Sequence, residues 1–351
     1  MTTAKRLIFV GKDRSPRCLL ETVQIPELQE GEILCKILYA ALCKSDLHTL
    51  NGLRAQPVPS YIGHEALLEV VSHRRSDENL QPGQRVVFCV CDSCGKCSRC
   101  SHGLPQKCAS LYKYGHEEML TMKASLSGCY ASHIILRPGT AVFVVPDEVP
   151  NHIAAPVNCS LATMVSAVSK IKGDASKTIL VQGCGSLGVY CCALLHDMGF
   201  KKIMCCDRLI TRLNTIRNFG GQGILAGEEF EKLESESVDI IIEACGSKDV
   251  IDVGLSLLRP GGTYILVGMV HPNSKLNLTA EKLIRKCLTI TGIHNYAPHH
   301  LEEAVNFLAR TATKYPWGDL IGPSYSLKEF EKAVKEAEQD RFHRVLIDPW
   351  K

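Results

Sequence analysis

The sequence predicts an α/β protein in two parts, a mostly β first half followed by a doubly wound domain built on a parallel sheet. Three observations carry this. Across its first part the 351-residue chain is a series of short alternating or apolar runs punctuated by glycine and proline. At Gly183-Cys-Gly185-Ser-Leu-Gly188 a glycine-rich turn separates an apolar strand run from a helical one. From there strand and helix patterns alternate to Gly292, as parallel βα units require.

The β half runs from Arg6 to about Val145 and has no internal repeat or low-complexity segment. Its strands are predicted at runs such as Ile33-Leu-Cys-Lys-Ile-Leu38, Leu67-Leu-Glu-Val-Val71 and Arg85-Val-Val-Phe88, bounded by Gly31 and Pro82-Gly83. Cys43-Lys-Ser45-Asp46-Leu-His48 and Gly63-His64-Glu65 therefore fall at strand ends and loops, where binding groups are usually mounted. A thiol and an imidazole are the ligand mix of a catalytic zinc site with an open position. On this stretch alone a buried thiol and a hydrogen-bonded core histidine are the commoner explanation of the pair.

Next comes Cys94-Gly-Lys-Cys97-Ser-Arg-Cys100, with Cys108 after seven intervening residues. Four thiols this close in a loop predict a closed tetrahedral structural zinc site. Cys91 extends the spacing backwards, so spacing alone leaves two registers. A redox pair or an iron–sulfur cluster is the alternative, and the thioredoxin-like context that the former needs is missing.

The second half opens with a helical segment from Ala154 to Val168. Thr178-Ile-Leu-Val-Gln182 is a buried strand, Val189 to Met198 a helix, and Lys202-Ile-Met-Cys-Cys206 the next strand, ending at Asp207. In this context the three glycines form a dinucleotide-binding fingerprint: Gly183 for the tight turn, Gly185 for approach of the pyrophosphate to the helix N-terminus at Ser186 and Leu187, Gly188 for close helix–strand packing. Asp207, twenty-four residues after Gly183, is placed to accept hydrogen bonds from an adenosine ribose. Val238 to Gly246, Pro260 to Gly268 and Leu288 to Gly292 continue the pattern, each strand ending in a turn, such as Val267-Gly268, where nicotinamide or ribose can lie. A helix on Leu301, Val305 and Leu308 then leads to the final strand Val345-Leu-Ile347, which is expected to return to the first domain.

Composition excludes several functions. At 45% hydrophobic, 22% charged and a net charge of +3, with no long basic block, neither nucleic acid nor an anionic membrane is an expected partner. No apolar stretch reaches spanning length and no signal-peptide pattern is present, so the expected location is cytoplasmic. Eighteen cysteines in so large a chain are then reduced thiols, most of them small core residues.

Together, Cys43-Lys-Ser-Asp46-x-His48, Gly63-His64-Glu65, the four-cysteine lobe and the nucleotide fingerprint, in that order, resemble the zinc-dependent medium-chain dehydrogenase/reductase family of the alcohol dehydrogenase type, over nearly the whole chain. The resemblance implies a GroES-like catalytic domain over 1–158 with its structural zinc lobe at 94–108, a Rossmann NAD-binding domain over 159–296, and a return to the catalytic domain over 297–351. It selects Cys94, Cys97, Cys100 and Cys108 for structural zinc and leaves Cys91 outside. It supplies Cys159 as third catalytic ligand beside Cys43 and His64, the two-cysteine, one-histidine shell known for alcohol dehydrogenase, and places Thr163 near the nicotinamide.

The family chemistry then implies two zinc ions per chain, NAD in preference to NADP, and hydride transfer between an alcohol and an aldehyde or ketone. Zinc polarises the substrate oxygen, Ser45 accepts its proton and relays it toward His48, Asp46 orients His64 from behind, and Glu65 is an inner carboxylate near the metal. A loop cap is the alternative for Asp46. A homodimer or homotetramer is implied. A polyol or amino-alcohol dehydrogenase of the same family is the nearest alternative, and a non-catalytic nucleotide-binding redox sensor is the alternative of another class. Three features stand apart: Gln84 where an acidic residue is common, Arg208 directly after Asp207, and a likeness of Leu104 to His116 and Pro156 to Cys159 to phosphonate-catabolism-associated alcohol dehydrogenases. Lys113, His116 and His294 are candidates to face an anionic substrate head.

Overall fold

The structure is a computed structural model that describes residues 3–76, 79–117, 119, 126–227, 230, 232–270 and 274–351. It divides into two compact units, one comprising Met1–Cys159, Ala297–Ala312 and Trp317–Lys351, the other Ser160–Tyr296 and Thr313–Pro316.

The first unit is built around the strand Ile33–Ala41, whose Ile33, Cys35, Ile37, Ala40 and Ala41 are completely buried. It pairs antiparallel with Glu65–His73 along one edge, and its other edge is shared by His133–Leu136, opposite Ile33 to Lys36, and Arg344–Ile347, opposite Ala40 and Ala41. Arg85–Phe88 and Val142–Val144 extend the sheet beyond Glu65–His73, and Ile321–Tyr325 extends it beyond Arg344–Ile347. The core beneath it gathers Ile33, Ile37, Leu68, Val86, Phe88 and Ile134. Each such side chain contributes about 1.5–3 kcal/mol on burial, enough to hold the central strand rigid.

The register of this sheet sets up the site. Ala41 lies opposite both Glu65 and Leu346, and the Leu42 N–H donates to the Val345 carbonyl at 2.9 Å. Continuing the ladders puts His64 opposite Leu42 after one residue and Arg344 opposite Cys43 after two. Since side chains alternate along a strand, Cys43, Glu65 and Arg344 fall on one face at one end of three adjacent strands. A separate ribbon of Cys91–Asp92 and Tyr112–Lys113 brackets the four-cysteine loop. A third sheet orders Cys18–Gln24, Thr3–Phe9 and Ser60–Tyr61.

Cys43 lies two residues past the end of the strand Ile33–Ala41 and immediately precedes a helix, Lys44–Leu50, which the sequence reading did not predict. The helical segment from Ala154 is not continuous as that reading had it: Asn151–Ala154 is followed by a π-helical turn, Val157–Leu161, and only then by Ala162–Val168. Pro156 has no N–H to give the ladder, and the wide turn that follows carries Cys159, in keeping with the tendency of π-turns to occur at functional positions.

The second unit holds a six-stranded parallel sheet in the order Gln222–Leu225, Lys202–Asp207, Thr178–Gln182, Val238–Glu243, Leu258–Leu266, Thr289–Gly292. Counted within the unit this is 3-2-1-4-5-6, the doubly wound arrangement that binds ligands beyond the carboxyl ends of the strands. Helix Ser186–Asp197 follows the first strand and buries Val189, Cys191, Cys192, Ala193 and Leu195. Among the described residues no helix is long and apolar enough to cross a membrane.

The glycines of the turn have separable reasons. Gly183 has φ +101°, and a Cβ there would lie 2.6 Å from the Cys245 Cβ; one on Gly188 would lie 1.9 Å from the Gly183 carbonyl oxygen; one on Gly185 would meet nothing within 4 Å. The first and third are therefore internal necessities, and the second keeps a space open. Gly188→Ala is expected to lower unfolding stability by about 1–3 kcal/mol, the usual cost of overpacking, with Gly185→Ala costing less than half as much; equal effects in urea titrations would contradict this division.

Candidate active site

Cys43 lies between the end of the central strand at Ala41 and the helix Lys44–Leu50, which it caps, so its position is fixed from both sides. Asp46, in the first turn of that helix and 1% exposed, ties the neighbourhood together. Its Oδ2 accepts from the Cys43 N–H at 3.0 Å and the Tyr130 hydroxyl at 2.7 Å, and its Oδ1 lies 3.2 Å from His64 Nδ1. With Nδ1 directed at Asp46, Nε2 is the ring nitrogen that faces the cluster, and a bound cation would displace the proton it carries. Asp46 thus caps the helix and orients the imidazole at once. Burial works against the charged form of His64, but Asp46, by charge and hydrogen bond, with Cys43 behind it, carries its pKa up to about 10.

Glu65 follows at the start of its strand and is completely buried. Arg344 grips it in a two-pronged ion pair, Nε to Oε2 at 2.7 Å and Nη2 to Oε1 at 2.9 Å, and Nη2 also lies 3.9 Å from Cys43 Sγ. Burial pushes the Glu65 carboxyl upward while Arg344 pulls against it. The segment between is clamped by Asn158, whose amide donates to the carbonyls of His64 and Phe88 at 3.1 and 3.2 Å and accepts from the Ala66 N–H at 3.3 Å. Gly63 completes the corner at φ +87°, where any Cβ would run into Tyr130 at 2.9 Å.

Cys159, one residue beyond the clamp, closes the cluster. Ligand atoms of Cys43, His64, Glu65 and Cys159 all lie within 4.8 Å of one another. Two thiols, an imidazole and a carboxylate are the donor set of a borderline-soft divalent cation. The two sulfurs share their charge unevenly. The hydrogen bond from Cys159, helped by Arg344 and His64, holds the Cys43 thiol well below its ordinary range, and the same bond with burial pushes Cys159 well above it. The protein alone thus favours a single thiolate, and a bound cation supplies the charge that removes the second proton.

The sequence-predicted relay residues lie on the same helix. Ser45 is half-buried with its Oγ 3.4 Å from His64 Nε2, and His48 is exposed one turn further on. The His116 ring stands 5.2 Å from that of His64 and is held well below its usual pKa by burial and by His64. Lys113 is half-buried in the same unit, whereas His294 is an exposed residue of the other. Gln84 serves its turn, its side chain accepting from the Gln81 N–H at 2.8 Å.

The second cluster contains Cys94, Cys97, Cys100 and Cys108 and leaves Cys91 out. Sulfur separations of 3.5 Å for Cys97–Cys100, 3.9 Å for Cys97–Cys108 and 3.4 Å for Cys94–Cys108 match the edge of roughly 3.8 Å that a tetrahedron with 2.3 Å zinc–sulfur bonds requires. Backbone N–H groups of Ala109 and Ser110 point at Cys97 and Cys108 at 3.5 and 3.3 Å. Those from Ala109 and Cys100 draw the Cys97 thiol down to about 6, toward the thiolate that a metal needs.

In the second unit, Ser186 and Leu187 open the helix above the vacant side of Gly185. Asp207 ends its strand with Oδ2 accepting from the Cys184 N–H at 2.8 Å, Oδ1 accepting from the Leu209 N–H at 2.9 Å, and Arg212 3.7 Å away; Arg208 beside it is exposed. Val267 and Gly268 are pinned by Glu243, which the sequence reading did not single out. Its buried carboxylate accepts from the N–H groups of Cys245, Gly246, Gly268 and Met269, joining two strand-end turns. Thr163 is half-buried in the helix Ala162–Val168.

Arg344, Asn158, Tyr130 and Glu243 are the residues missed from sequence. A charged residue entering the apolar run Val345-Leu-Ile347, and another closing Val238 to Ile242, were the available signals for Arg344 and Glu243; Tyr130 had none.

Both halves of the chain resemble known proteins. Residues 29–147 match the family model of the alcohol dehydrogenase GroES-like domain and residues 186–310 that of the zinc-binding dehydrogenase, together more than two thirds of the chain. Sorbitol dehydrogenase of Bacillus subtilis is 26% identical, with 94% of both chains covered. D-arabitol-phosphate dehydrogenase of Enterococcus avium is 25% identical, covering 93% of this chain and 92% of that one. The crystal structure of an alcohol dehydrogenase from Thermotoga maritima superposes with a TM-score of 0.90 at 26% identity, covering 99% of each chain.

The ion pair at the base of the cluster is directly testable. Arg344→Met should cost about 3–5 kcal/mol in urea unfolding, the penalty for stranding a buried charge, and adding Glu65→Leu should recover most of it. A loss below about 1 kcal/mol for the single variant would show that Glu65 does not depend on Arg344.

Proposed function

We propose that this chain, which belongs to the zinc-dependent medium-chain dehydrogenase family, interconverts an alcohol and an aldehyde or ketone by hydride transfer to and from NAD. The observation that carries this reading is the buried convergence of Cys43, His64 and Cys159, with Glu65 beside them, in a chain that also holds a complete dinucleotide turn. Zinc at that cluster supplies Lewis-acid polarisation of the alcohol oxygen, and a nicotinamide supplies the hydride acceptor.

The remaining work falls to the chain. Asp46 keeps the His64 proton on Nδ1, so that Nε2 is available as a ligand. Ser45 Oγ, half-buried at the open side of His64, takes the alcohol proton, and His48, exposed one helical turn away, hands it to solvent. Cys94, Cys97, Cys100 and Cys108 hold a second zinc that stabilises their loop and takes no part in the chemistry. Gly185 leaves space for the pyrophosphate at the helix start, Asp207 binds the adenosine ribose, and Val267 and Gly268, pinned by Glu243, line the nicotinamide side with Thr163. The Asp207 carboxylate repels a 2′-phosphate, which favours NAD over NADP despite Arg208 and Arg212 nearby.

A polyol substrate is the second reading, favoured by the sorbitol and arabitol-phosphate dehydrogenases among the relatives. The intact donor set weighs against a purely nucleotide-sensing role. A cytoplasmic homodimer or homotetramer completes the proposal, in line with the reduced thiols and the family.

Two substitutions test it. Cys159→Ala should abolish turnover and remove one zinc per chain while the other stays; unchanged metal content would exclude Cys159 as a ligand. Asp207→Ala should narrow the NAD over NADP preference in kcat/KM by about ten- to a hundredfold, the worth of hydrogen bonds to a charged group. A ratio that does not move would show that Asp207 is not the ribose acceptor.

A further inference from the structure

Tyr130 lies just before the strand His133–Leu136, and its segment is registered against the corner that carries His64. The Cys129 N–H donates to the Gly63 carbonyl at 2.9 Å, and the Tyr130 N–H to the Ile62 carbonyl at 3.4 Å. On its other side the Tyr130 carbonyl accepts from the Leu7 N–H at 2.8 Å. The ring covers Gly63, where a Cβ would lie 2.9 Å from Tyr130 Cγ, and rests on Phe330 with ring centres 4.9 Å apart. At 1% exposure, this packing fixes where the hydroxyl points.

The hydroxyl has one proton and two acceptors in reach, Asp46 Oδ2 at 2.7 Å and the Ala41 carbonyl at 3.4 Å. The shorter contact takes it, since a bond to a carboxylate is the stronger. Oδ2 is also the atom that accepts from the Cys43 N–H at 3.0 Å, and Oδ1 lies 3.2 Å from His64 Nδ1. Two candidate metal ligands from separate elements therefore hang on one carboxylate, Cys43 by its backbone and His64 by its ring. Without the phenol, rotation of that carboxylate is resisted only by the Cys43 N–H and by the imidazole it has to aim. Packing does not call for the hydroxyl, because phenylalanine fills the same space against Gly63 and Phe330, and a hydroxyl buried this deeply costs free energy unless it is bonded. Its place is explained by Asp46.

We propose that Tyr130 is a positioning residue for the catalytic metal, its hydroxyl locking the Asp46 carboxylate so that Cys43 and His64 are presented at a fixed separation. This rests on the reading of the Cys43–His64–Cys159 cluster as a metal centre and adds to it a residue that acts only through Asp46. One oxygen atom, on a segment that supplies no ligand, then sets how tightly the cluster holds its ion.

The test is metal retention in full-length protein loaded with zinc at both clusters, dialysed at constant pH against a graded series of chelator, with zinc counted per chain. Tyr130→Phe should weaken the catalytic site about tenfold, the lower end of the range usual for partners behind a metal ligand, and leave the four-cysteine site unchanged. Cobalt(II) in place of the catalytic zinc gives a second readout, absorption bands that report ligand geometry. Tyr130→Phe should shift those bands, which a change in folding stability alone would not do. Asp46→Asn removes the charge on the acceptor, and in that background Tyr130→Phe should add at most about twofold, as a residue acting through Asp46 must. Wild-type protein holding both zincs, with Tyr130→Phe unchanged in affinity and in cobalt spectrum, would overturn the inference and leave the metal centre standing. So would an effect of Tyr130→Phe that is equal with and without Asp46→Asn. Wild-type protein that binds zinc only at the four cysteines would overturn the metal reading itself, and the inference with it.

Discussion

Keeping charged and proton-bearing ligands out of water at the end of one strand is the constraint on which the catalytic unit depends. Cys43, His64 and Glu65 are all buried, and each loses hydration that only a specific neighbour can replace. Asp46 does so for His64 and Arg344 for Glu65. These partners come from opposite ends of the chain, yet the register through Ala41 brings both to the same point. The sheet can slip by no residue without turning Cys43, Glu65 or Arg344 to the wrong face.

Compensation from behind also explains why the site is poised for a metal. Asp46 orients His64, Arg344 balances the carboxylate, and what faces inward is two sulfurs and the imidazole Nε2. That set suits a divalent cation, which would displace the protons they carry. The four-cysteine loop meets the same need by different means, using backbone N–H groups and close sulfur spacing instead of buried ion pairs. In the second unit the logic is again that of filled and unfilled space: Gly183 and Gly188 are filled by neighbours, and Gly185 is left open.

Features that depend on local spacing were legible in the sequence. The alternation of strands and helices predicts the parallel sheet, and the glycine fingerprint predicts its first turn, because tight turns and close helix packing exclude side chains whatever lies around them. The four-cysteine spacing likewise marks a cluster, though it cannot choose between Cys91 and Cys108 as the outermost member; the fold does so by placing Cys91 in the ribbon strand opposite Lys113. Partners that meet only through strand register were not legible. Arg344 lies 279 residues from Glu65 and Tyr130 84 from Asp46, and no local pattern encodes such meetings. The π-turn at Cys159 was hidden for a related reason: Pro156 signals an interruption of the helix but not the wider turn that follows.

The central claim is that two chemically different metal sites lie in one chain, and cadmium-113 NMR of the metal-substituted protein tests it most directly. Two resonances of equal intensity are predicted, one at the position of a four-sulfur shell and one shifted by the nitrogen and oxygen donors of a two-sulfur shell. Cys100→Ser should perturb only the former and His64→Gln only the latter. A single resonance, or two that both report four sulfurs, would contradict the assignment of Cys43, His64 and Cys159 to a metal centre of their own.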